Sequence, residues 1–304
     1  SSPPSRNLST QTKNIMKSVL ITGCSSGFGY ETTKYLAQKG HVIYATMRHV
    51  NGKNKKPAAE LRDFAKDNNL NITVLEMDVT SDKSVKAAAD HISQVDVLIN
   101  NAGLGYGGPI ESFTSSEVLA QLDLNIVGTI RTAKAILPKM RAQKSGLIIQ
   151  VSSGAGRASF PGFGVYHASK WGLEGLSESM RYELAPLGID VVIVEPGPFS
   201  TNFFGNIVAP KNSAIANDYH HVDAFFEGFE NQVKGAFQDS NAPTDPMLVV
   251  HAFEKLINLP NGSRPLRTMV GLDFGLQALN DAVEPIRKEV LASMGLAESD
   301  GPQS

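Results

Sequence analysis

The sequence has a single cysteine, Cys24, and no excess of charge of either sign. Its 28 Lys and Arg residues nearly balance its 30 Asp and Glu residues, which leaves a formal net charge of −2. One cysteine excludes an internal disulfide framework and a cysteine-based zinc site, and it is consistent with a reducing compartment. Balanced charge offers no electrostatic footprint for nucleic acid or an anionic membrane. We therefore expect a cytoplasmic protein that binds a small molecule, without a metal or nucleic acid.

Long apolar runs are also missing. No stretch approaches the roughly 18 apolar residues of a membrane-spanning helix, and no internal repeat is visible. Residues 1–16 are polar, contain prolines and lack the apolar region of a signal peptide, so we expect a flexible arm there and no membrane anchor. The hydrophobic content of 41% over 304 residues is enough for one large α/β domain, which we place at residues 17–304.

Short apolar segments alternate with helical patterns along the chain. The segments that predict strands are 19–21, 41–46, 72–79, 95–99, 147–151, 191–194 and 268–270. This alternation favours a doubly wound parallel sheet of about seven strands with helices on both faces. Ligands bind such sheets at the carboxyl ends of the strands, so residues that follow the strands are the candidates for function.

A glycine-rich loop follows the first predicted strand. Its sequence is TGCSSGFG at 22–29, and a helical pattern begins directly after it. Strand, glycine turn and helix are the order of a loop that binds a pyrophosphate on free N–H groups at the helix start. Gly23, Gly27 and Gly29 would allow the tight turn, the approach of the anion and the packing of helix on strand. The alternative is an ordinary glycine turn, with Cys24 as a small packing residue or a mildly acidic thiol.

The second predicted strand leads into Met47 and Arg48, where a dinucleotide fold recognises the adenosine ribose. A carboxylate there would accept both ribose hydroxyls of NAD, whereas a cation favours a 2′-phosphate. Because a charge-assisted contact contributes about 1.5 to 3 kcal/mol, we expect NADP(H) to be favoured over NAD(H). The alternative places Arg48 in a solvent-exposed basic stretch with Lys53, Lys55 and Lys56.

Two further strand ends carry polar residues. Asp78, followed by Val79, is placed to meet the adenine amino group or to cap the next helix. The fourth strand runs into NNAG at 100–103, where amides followed by a glycine can tie the strand end to the glycine-rich loop. Asn101, Ala102 and Gly103 are therefore candidates for the cofactor site.

Thr114 and Glu117 form a capping box for a long helix whose apolar positions continue to Met140. Asn125 lies inside this helical pattern. Asparagine is a poor residue for a helix interior, so its presence predicts a bend, a packing amide or a bound water.

The strongest candidate for chemistry is the stretch from Ser152 to Lys170. The fifth strand delivers Ser153 to the edge of the sheet, and a helix over 164–185 carries Tyr166 and Lys170 on one face. A cation about 4 Å from the phenol, at an effective dielectric constant of about 20, supplies roughly 4 kcal/mol, enough to bring its pKa from about 10 to near neutrality. We therefore expect an acid–base tyrosine. The alternative is two partly exposed side chains, with Trp171 packed and His167 exposed beside them.

Residues 199–242 form a long segment between the sixth strand and the next helix, and the segment is rich in aromatic side chains. These are Phe203, Phe204, Tyr219, Phe225, Phe226, Phe229 and Phe237. We expect a substrate lid with an apolar inner face that admits a bulky ketone, aldehyde or secondary alcohol. The alternative is that the rings pack the segment onto the sheet.

Small residues on the helix predicted over 164–185, such as Gly172 and Gly175, would allow close packing against a second subunit. They favour a homodimer or homotetramer.

Taken in order, these motifs resemble the short-chain dehydrogenase/reductase (SDR) family over residues 17–201. The segments GHVIYATMR and YHASKWGLEGLSESMRYEL are most similar to the branch of hydroxysteroid and retinol dehydrogenases. The resemblance implies a Rossmann-type domain and an NAD(P)-dependent oxidoreductase. Its glycine-rich loop, NNAG, Tyr-x-x-x-Lys and Pro196-Gly197 motifs occur here in the family's order.

The resemblance also implies roles for individual residues. Tyr166 would donate or accept the proton, Lys170 would lower its pKa and hold the nicotinamide ribose, and Ser153 would hydrogen-bond the substrate oxygen. Asn125 would hold a water that links Lys170 to solvent, and Thr201 with the backbone near Pro196 would hold the carboxamide. The predicted cofactor residues are Gly23, Ser25, Ser26, Gly27, Phe28, Gly29, Arg48, Asp78, Val79, Asn101, Ala102, Gly103, Tyr166, Lys170, Pro196, Gly197 and Thr201.

The function that follows is hydride transfer between NADP(H) and a carbonyl or secondary alcohol, in the direction that reduces a bulky apolar ketone or aldehyde. Two alternatives share the fold. One is a catalytically weak NADP-binding regulatory protein, and the other is a nucleotide-sugar epimerase.

Overall fold

The computed structural model describes residues 15–303. The predicted arm at residues 1–16 lies outside the described residues, apart from Ile15 and Met16. The described chain contains seven strands. They are β1 (Ser18–Ile21), β2 (Val42–Met47), β3 (Ile72–Glu76), β4 (Val97–Asn100), β5 (Gly146–Val151), β6 (Ile189–Pro196) and β7 (Arg267–Val270).

All seven strands pair in parallel in the order β3-β2-β1-β4-β5-β6-β7. The predicted doubly wound sheet is confirmed. Because β1 lies between β2 and β4, the strand order reverses there, and the crevice outside the carboxyl ends of β1 and β4 is the topological switch point where such folds bind ligands.

The α-helices cover both faces of the sheet. They are α1 (Gly27–Gln38), α2 (Lys55–Asp67), α3 (Asp82–Ala89), α4 (Ser115–Leu122), α5 (Gly128–Gln143), α6 (Gly164–Leu184), α7 (Ser213–Ala216), α8 (His220–Gln238), α9 (Met247–Asn258) and α10 (Leu276–Ser293). Successive residues of a strand point to opposite faces. In β1, Val19 and Ile21 therefore pack under α1, α2 and α9, whereas Leu20 packs under α5 and α6. No helix within residues 15–303 is both long and apolar enough to cross a membrane.

The long helix predicted after Thr114 is interrupted. Its capping box is confirmed, since Glu117 N donates to Thr114 Oγ1 at 3.2 Å and Thr114 N donates to Glu117 Oε2 at 2.8 Å. Between α4 and α5, however, Asp123–Val127 form one π-helical turn that contains Asn125. The side-chain amide of Asn125 faces inward at this wider turn and bonds to neighbouring segments. The prediction of one continuous helix was therefore wrong at this point.

The segment 199–242 contains a 3₁₀ turn at Phe204–Asn206, the short helix α7 and the 19-residue helix α8. Its first part is attached to the loop after β4, because Val208 N donates to Gly105 O at 2.9 Å and Gly107 N donates to Val208 O at 3.0 Å. Tyr219, which precedes α8, donates its hydroxyl proton to the carboxylate of Glu111. These contacts hold the segment over the carboxyl edge of the sheet.

Candidate active site

A cleft of about 780 Å³ opens at the carboxyl ends of β1, β2, β4, β5 and β6. Most of the predicted site residues line it. They are Gly23, Ser25, Ser26, Gly27, Phe28, Arg48, Val79, Asn101, Ala102, Gly103, Ser153, Tyr166, Lys170, Pro196, Gly197 and Thr201. Three predicted residues, Gly29, Asp78 and Asn125, do not line the cleft. The sheet therefore brings together residues that are up to 178 positions apart, from Gly23 to Thr201 (201 − 23 = 178).

The glycine-rich loop has the geometry that its glycines predict. Gly23 and Gly27 have φ of +70° and +57°, a backbone conformation that other residues rarely adopt. A Cβ on Gly29 would lie 2.3 Å from Gly23 O, whereas a Cβ on Gly27 would meet nothing within 4 Å. Gly29 is thus required by packing, and Gly27 leaves open space beside the start of α1. The N-cap Ser26 makes no side-chain cap, so the first N–H groups of α1 are available to an anion.

Asn101 fixes the loop from the neighbouring strand. Its Nδ2 donates to Thr22 O at 3.1 Å and to Gly23 O at 3.2 Å. The expected tie between the end of β4 and the loop is therefore present. Cys24 lies beneath the loop, where burial raises the pKa of its thiol to about 12. Of the two interpretations of Cys24, the small packing residue agrees with the structure.

Two cations line the end of the cleft next to β2. Arg48 follows β2 as predicted, and Lys53 joins it, which sequence analysis did not distinguish from Lys55 and Lys56. His49 has φ of +53°, and both Gly52 N and Asn54 N donate to His49 O at 3.0 Å. This turn brings Lys53 back to the cleft. The signal that could have indicated it is Asn51-Gly52, a dipeptide typical of tight turns.

Asp78 does not cap the following helix. Its carboxylate accepts from Thr80 N at 2.9 Å and from Thr80 Oγ1 at 2.7 Å, while Ser81 is the N-cap of α3. The capping alternative was therefore wrong. Val79, its neighbour, is the residue of this pair that lines the cleft.

Asn125 is a packing amide behind the cleft. Its Nδ2 donates to Leu104 O and to Ser169 Oγ, each at 3.0 Å, and its Oδ1 accepts from Leu104 N at 3.3 Å. A Cβ on Gly103 would lie 2.9 Å from Asn125 Oδ1 and 3.9 Å from Lys170 Nζ. A larger residue at position 103 would therefore displace the Asn125 amide, whereas its contact with Lys170 would be an ordinary one.

Tyr166, Lys170 and Ser153 converge at the centre of the cleft. Lys170 Nζ donates to Val151 O at 3.0 Å and lies 5.8 Å from the centroid of the Tyr166 ring. Ser153 lines the cleft with Tyr166 and lowers the pKa of its phenol. The one-turn spacing on α6 therefore places the phenol and the ammonium together, as predicted.

The pKa values differ from the sequence-based expectation. Burial raises the pKa of Tyr166 to about 12, and the hydrogen bond from Ser153 offsets only part of this effect. Burial also lowers the pKa of Lys170 to about 8, and the charge of Glu174 opposes that fall. The predicted fall of the phenol pKa to neutrality is not found in this arrangement, because burial is the largest influence on the phenol and Lys170 makes no offsetting contribution. At neutral pH the phenol retains its proton.

Aromatic rings form the wall beside Tyr166. The centroids of Phe163 and Phe203 each lie 5.6 Å from that of Tyr166. From the segment 199–242, Phe203, Phe204 and Phe229 line the cleft. Phe226 instead packs against Phe163, at 4.7 Å between centroids. Some rings of this segment therefore face the cleft, as a substrate lid requires, and others pack the segment onto the rest of the fold.

The two residues that flank the tyrosine and lysine were assigned the wrong way round. His167 is 3% exposed, and Trp171 is 48% exposed. The imidazole finds two backbone partners inside the fold, whereas the indole lies on the outer face of α6. The number of partners around each position depends on tertiary packing and has no signature in the sequence.

Sequence analysis also missed a buried ionic cluster behind α6. Arg267 Nε lies 2.7 Å from Glu174 Oε2, and Asn280 Nδ2 donates to Glu195 Oε1 at 2.6 Å. Burial and the neighbouring Glu174 raise the pKa of Glu195 to about 9. Within residues 15–303 no group of three or more His, Cys, Asp or Glu side chains is arranged to hold a metal ion.

Comparisons with known proteins identify the family of the chain. A family model described as short chain dehydrogenase matches residues 17–212. Retinol dehydrogenase 8 of Homo sapiens is 38% identical over 263 residues, covering 82% of this chain and 79% of that protein. The 3-ketodihydrosphingosine reductase of Bacteroides thetaiotaomicron is 35% identical over 257 residues, covering 83% of this chain and 87% of that protein.

A solved structure gives the same result for the fold. A short-chain dehydrogenase from Streptomyces avermitilis superposes with a TM-score of 0.70 at 31% identity, over 94% of this chain and 98% of that chain. The resemblance found in the sequence is therefore confirmed. This chain belongs to the short-chain dehydrogenase family, whose members are NAD(P)-dependent oxidoreductases acting on CH–OH groups.

Proposed function

We propose that this protein reduces a bulky apolar ketone or aldehyde with NADPH, with Tyr166 as the general acid. The observation that carries the proposal is the position of the Tyr166 phenol, which lies on the cleft between Lys170 and an aromatic wall. When bound, the nicotinamide would supply the hydride. The chain's own residues bind, orient and move the proton.

The cleft fits a dinucleotide. The open space at Gly27 and the uncapped N–H groups of α1 suit a pyrophosphate. Val79, Ala102 and Gly103 would contact the adenosine half, and Pro196, Gly197 and Thr201 the nicotinamide half. Behind these contacts, Gly29 and Asn101 hold the loop in shape. Asp78 would act only through the backbone of its loop.

Arg48 and Lys53 support NADPH over NADH. Both side chains line the adenosine end of the cleft, and each can donate to a 2′-phosphate. Asn54 Nδ2 donates to Arg48 O at 2.6 Å, which holds the turn that carries both cations. Lys53 would supply a second cation beside Arg48 for the 2′-phosphate.

Proton transfer is assigned to the Tyr166 hydroxyl. A substrate carbonyl oxygen would accept the Tyr166 proton as hydride reaches the carbonyl carbon, and Ser153 Oγ would donate a second hydrogen bond to the developing charge. Because the pKa of Tyr166 is raised to about 12, the phenol is protonated at neutral pH and is ready to act as the acid. A protonated phenol can serve as the acid in the reductive direction, which is the direction we propose. Asn125 would keep Lys170 accessible to solvent protons.

The segment 199–242 would act as the substrate lid of the domain at residues 17–304. Phe203 and Phe204 precede α8 and face the cleft, while α8 contributes Phe229. An apolar wall of this kind favours an apolar substrate over a charged one. The outer face of α6 carries the exposed Trp171 and an unobstructed Gly175, which supports a homodimer or homotetramer.

The test follows NADPH absorbance at 340 nm with a panel of small and bulky ketones and aldehydes. The wild-type protein should consume NADPH, and Tyr166→Phe should lower kcat by at least about 100-fold while NADPH binding is retained. A regulatory protein would bind NADPH without consuming it, and an epimerase would interconvert sugars without net oxidation. Full activity of Tyr166→Phe would refute the assignment of the acid.

The cofactor preference is tested with Lys53→Ala and a matched control. We expect Lys53→Ala to raise KM for NADPH about 10-fold with little change for NADH, because only NADPH carries the 2′-phosphate. Lys56→Ala is the control, since the Lys56 side chain is 88% exposed and faces Glu60 on α2. Equal effects on both cofactors would contradict the role of Lys53.

A further inference from the structure

His167 is a buried imidazole beside the catalytic tyrosine, and it does not line the cleft. Its Nδ1 lies 2.9 Å from Ala155 O, and its Nε2 lies 3.0 Å from Phe160 N. A carbonyl oxygen can only accept and a backbone N–H can only donate. The two partners therefore require a neutral ring with the proton on Nδ1.

These two bonds clamp both ends of one segment to α6. The segment 155–160 begins two residues after Ser153, whose Oγ accepts from Ala155 N at 3.0 Å. It ends at Phe160, which lines the cleft. His167 itself follows Tyr166 in sequence. One side chain thus links the tyrosine helix, the serine turn and the aromatic wall.

The imidazole also sets the orientation of the Phe160 ring. The His167 and Phe160 rings are nearly perpendicular, at 88°, with 4.6 Å between centroids. Phe160 in turn contacts Phe163 at 5.6 Å, Phe229 at 5.0 Å and Phe225 at 5.7 Å. A shift of Phe160 would therefore change the shape of the wall formed by α6 and α8.

Charged groups on the packed elements are directed elsewhere. Arg157 Nε, within the segment, donates to Asn280 Oδ1 at 2.8 Å, and Lys170 and Glu174 of α6 face Val151 O and Arg267. The acids of α8, which are Asp223, Glu227 and Glu230, make no contribution to the pKa of His167. Burial lowers that pKa, and the two backbone bonds offset only part of the effect.

We infer that His167 is a positioning residue for substrate selection: its neutral ring holds Phe160 in the aromatic wall, so the enzyme favours bulky apolar carbonyl compounds. This inference deepens the proposed reduction and rests on it. A proton added to Nε2 would place two donors, Nε2–H and Phe160 N–H, against each other. The hydrogen bond that holds Phe160 to His167 would then be lost.

The experiment compares His167→Leu with His167→Gln. Leucine leaves Ala155 O and Phe160 N without a partner, whereas glutamine offers one donor and one acceptor and does not titrate. We expect His167→Leu to raise KM for a bulky apolar ketone about 10-fold or more, with KM for a small ketone and Kd for NADPH within about 2-fold of the wild type. His167→Gln should restore most of the loss. Equal loss for both ketones, or no loss for either, would overturn the inference.

Two measurements on the wild-type protein keep the inference testable if the leucine variant does not fold. The ¹⁵N spectrum of the imidazole should show the proton on Nδ1 at pH 7, and a proton on Nε2 would refute the clamp. Because burial holds the pKa of His167 below its ordinary value, KM for the bulky ketone should stay flat near pH 6.5 and rise only at lower pH, while the KM of His167→Gln stays flat throughout. If no ketone is reduced, the proposed function fails, while the ¹⁵N result still decides whether the clamp exists.

Discussion

Replacing Lys170 with methionine should stabilise the fold while it removes activity. Lys170 is 7% exposed, and burial lowers its pKa from 10.5 to about 8. A difference of this size corresponds to about 3 kcal/mol of unfavourable folding free energy at pH 7. Methionine has a similar length and no charge. It loses the hydrogen bond from Nζ to Val151 O, which contributes about 1 kcal/mol. We expect Lys170→Met to raise the free energy of unfolding by about 2 kcal/mol.

The pH dependence identifies the cause. Between about pH 8 and pH 10.5 the unfolded lysine binds a proton that the folded lysine has released. Wild-type stability therefore rises with pH across this window. The methionine variant has no such titration. Its advantage should be largest below pH 8, shrink through the window and turn into a deficit of about 1 kcal/mol above pH 10.5, where only the lost hydrogen bond remains.

Urea titrations at pH 7, 8.5 and 10, at one protein concentration, measure this difference. Lys56→Met is the matched control, because the exposed Lys56 side chain gives no desolvation to relieve. If the Lys170→Met variant is less stable than the wild type at pH 7, the buried charge of Lys170 does not destabilise the fold as expected. A gain that is the same at all three pH values would show that packing, and not the buried charge, is responsible.

Two further predictions concern the glycine-rich loop. Gly29→Ala should destabilise the protein by about 1 to 3 kcal/mol and weaken NADPH binding, because the added Cβ would lie 2.3 Å from Gly23 O. Gly175→Ala is the control, since an added Cβ there meets nothing within 4 Å and should be neutral or slightly stabilising. Chemical denaturation and cofactor titration measure both effects. Cys24, with a thiol pKa raised to about 12 by burial, should resist iodoacetamide at pH 8 in the folded protein and react once urea unfolds it; rapid labelling of the folded protein would contradict this burial.

The sheet could be predicted from the sequence because its central strands, β1, β4, β5 and β6, are buried on both faces. The run Val19-Leu20-Ile21 is uniformly apolar, and the structure places alternate residues in two separate cores. The shared position of Tyr166 and Lys170 on one face of α6 could also be predicted, because a spacing of four residues along a helix places two side chains on the same face. Both inferences depend on local periodicity, which a single sequence contains.

The properties that depend on distant packing could not be predicted. The raised pKa of Tyr166 results from burial that includes the rings of Phe163 and Phe203, and Phe203 belongs to a segment far along the chain. His167 is buried because Ala155 and Phe160 supply backbone partners. Lys53 reaches the cleft only because a tight turn follows Arg48. Each case requires knowledge of which segments meet.

The charge of Lys170 is the clearest example of this dependence. Glu174 raises the pKa of Lys170, but its carboxylate also faces Arg267 of β7 at 2.7 Å, which weakens the field that the lysine experiences. Glu195 of β6 adds no second negative charge at neutral pH, because burial and Glu174 raise its pKa to about 9. Asn280 of α10 bonds to the same carboxyl group. Burial is thus the main cause of the lowered pKa of Lys170, and Glu174, which does not line the cleft, opposes it. Glu174→Gln should therefore lower this pKa further and move the alkaline limb of activity to lower pH without touching substrate or cofactor.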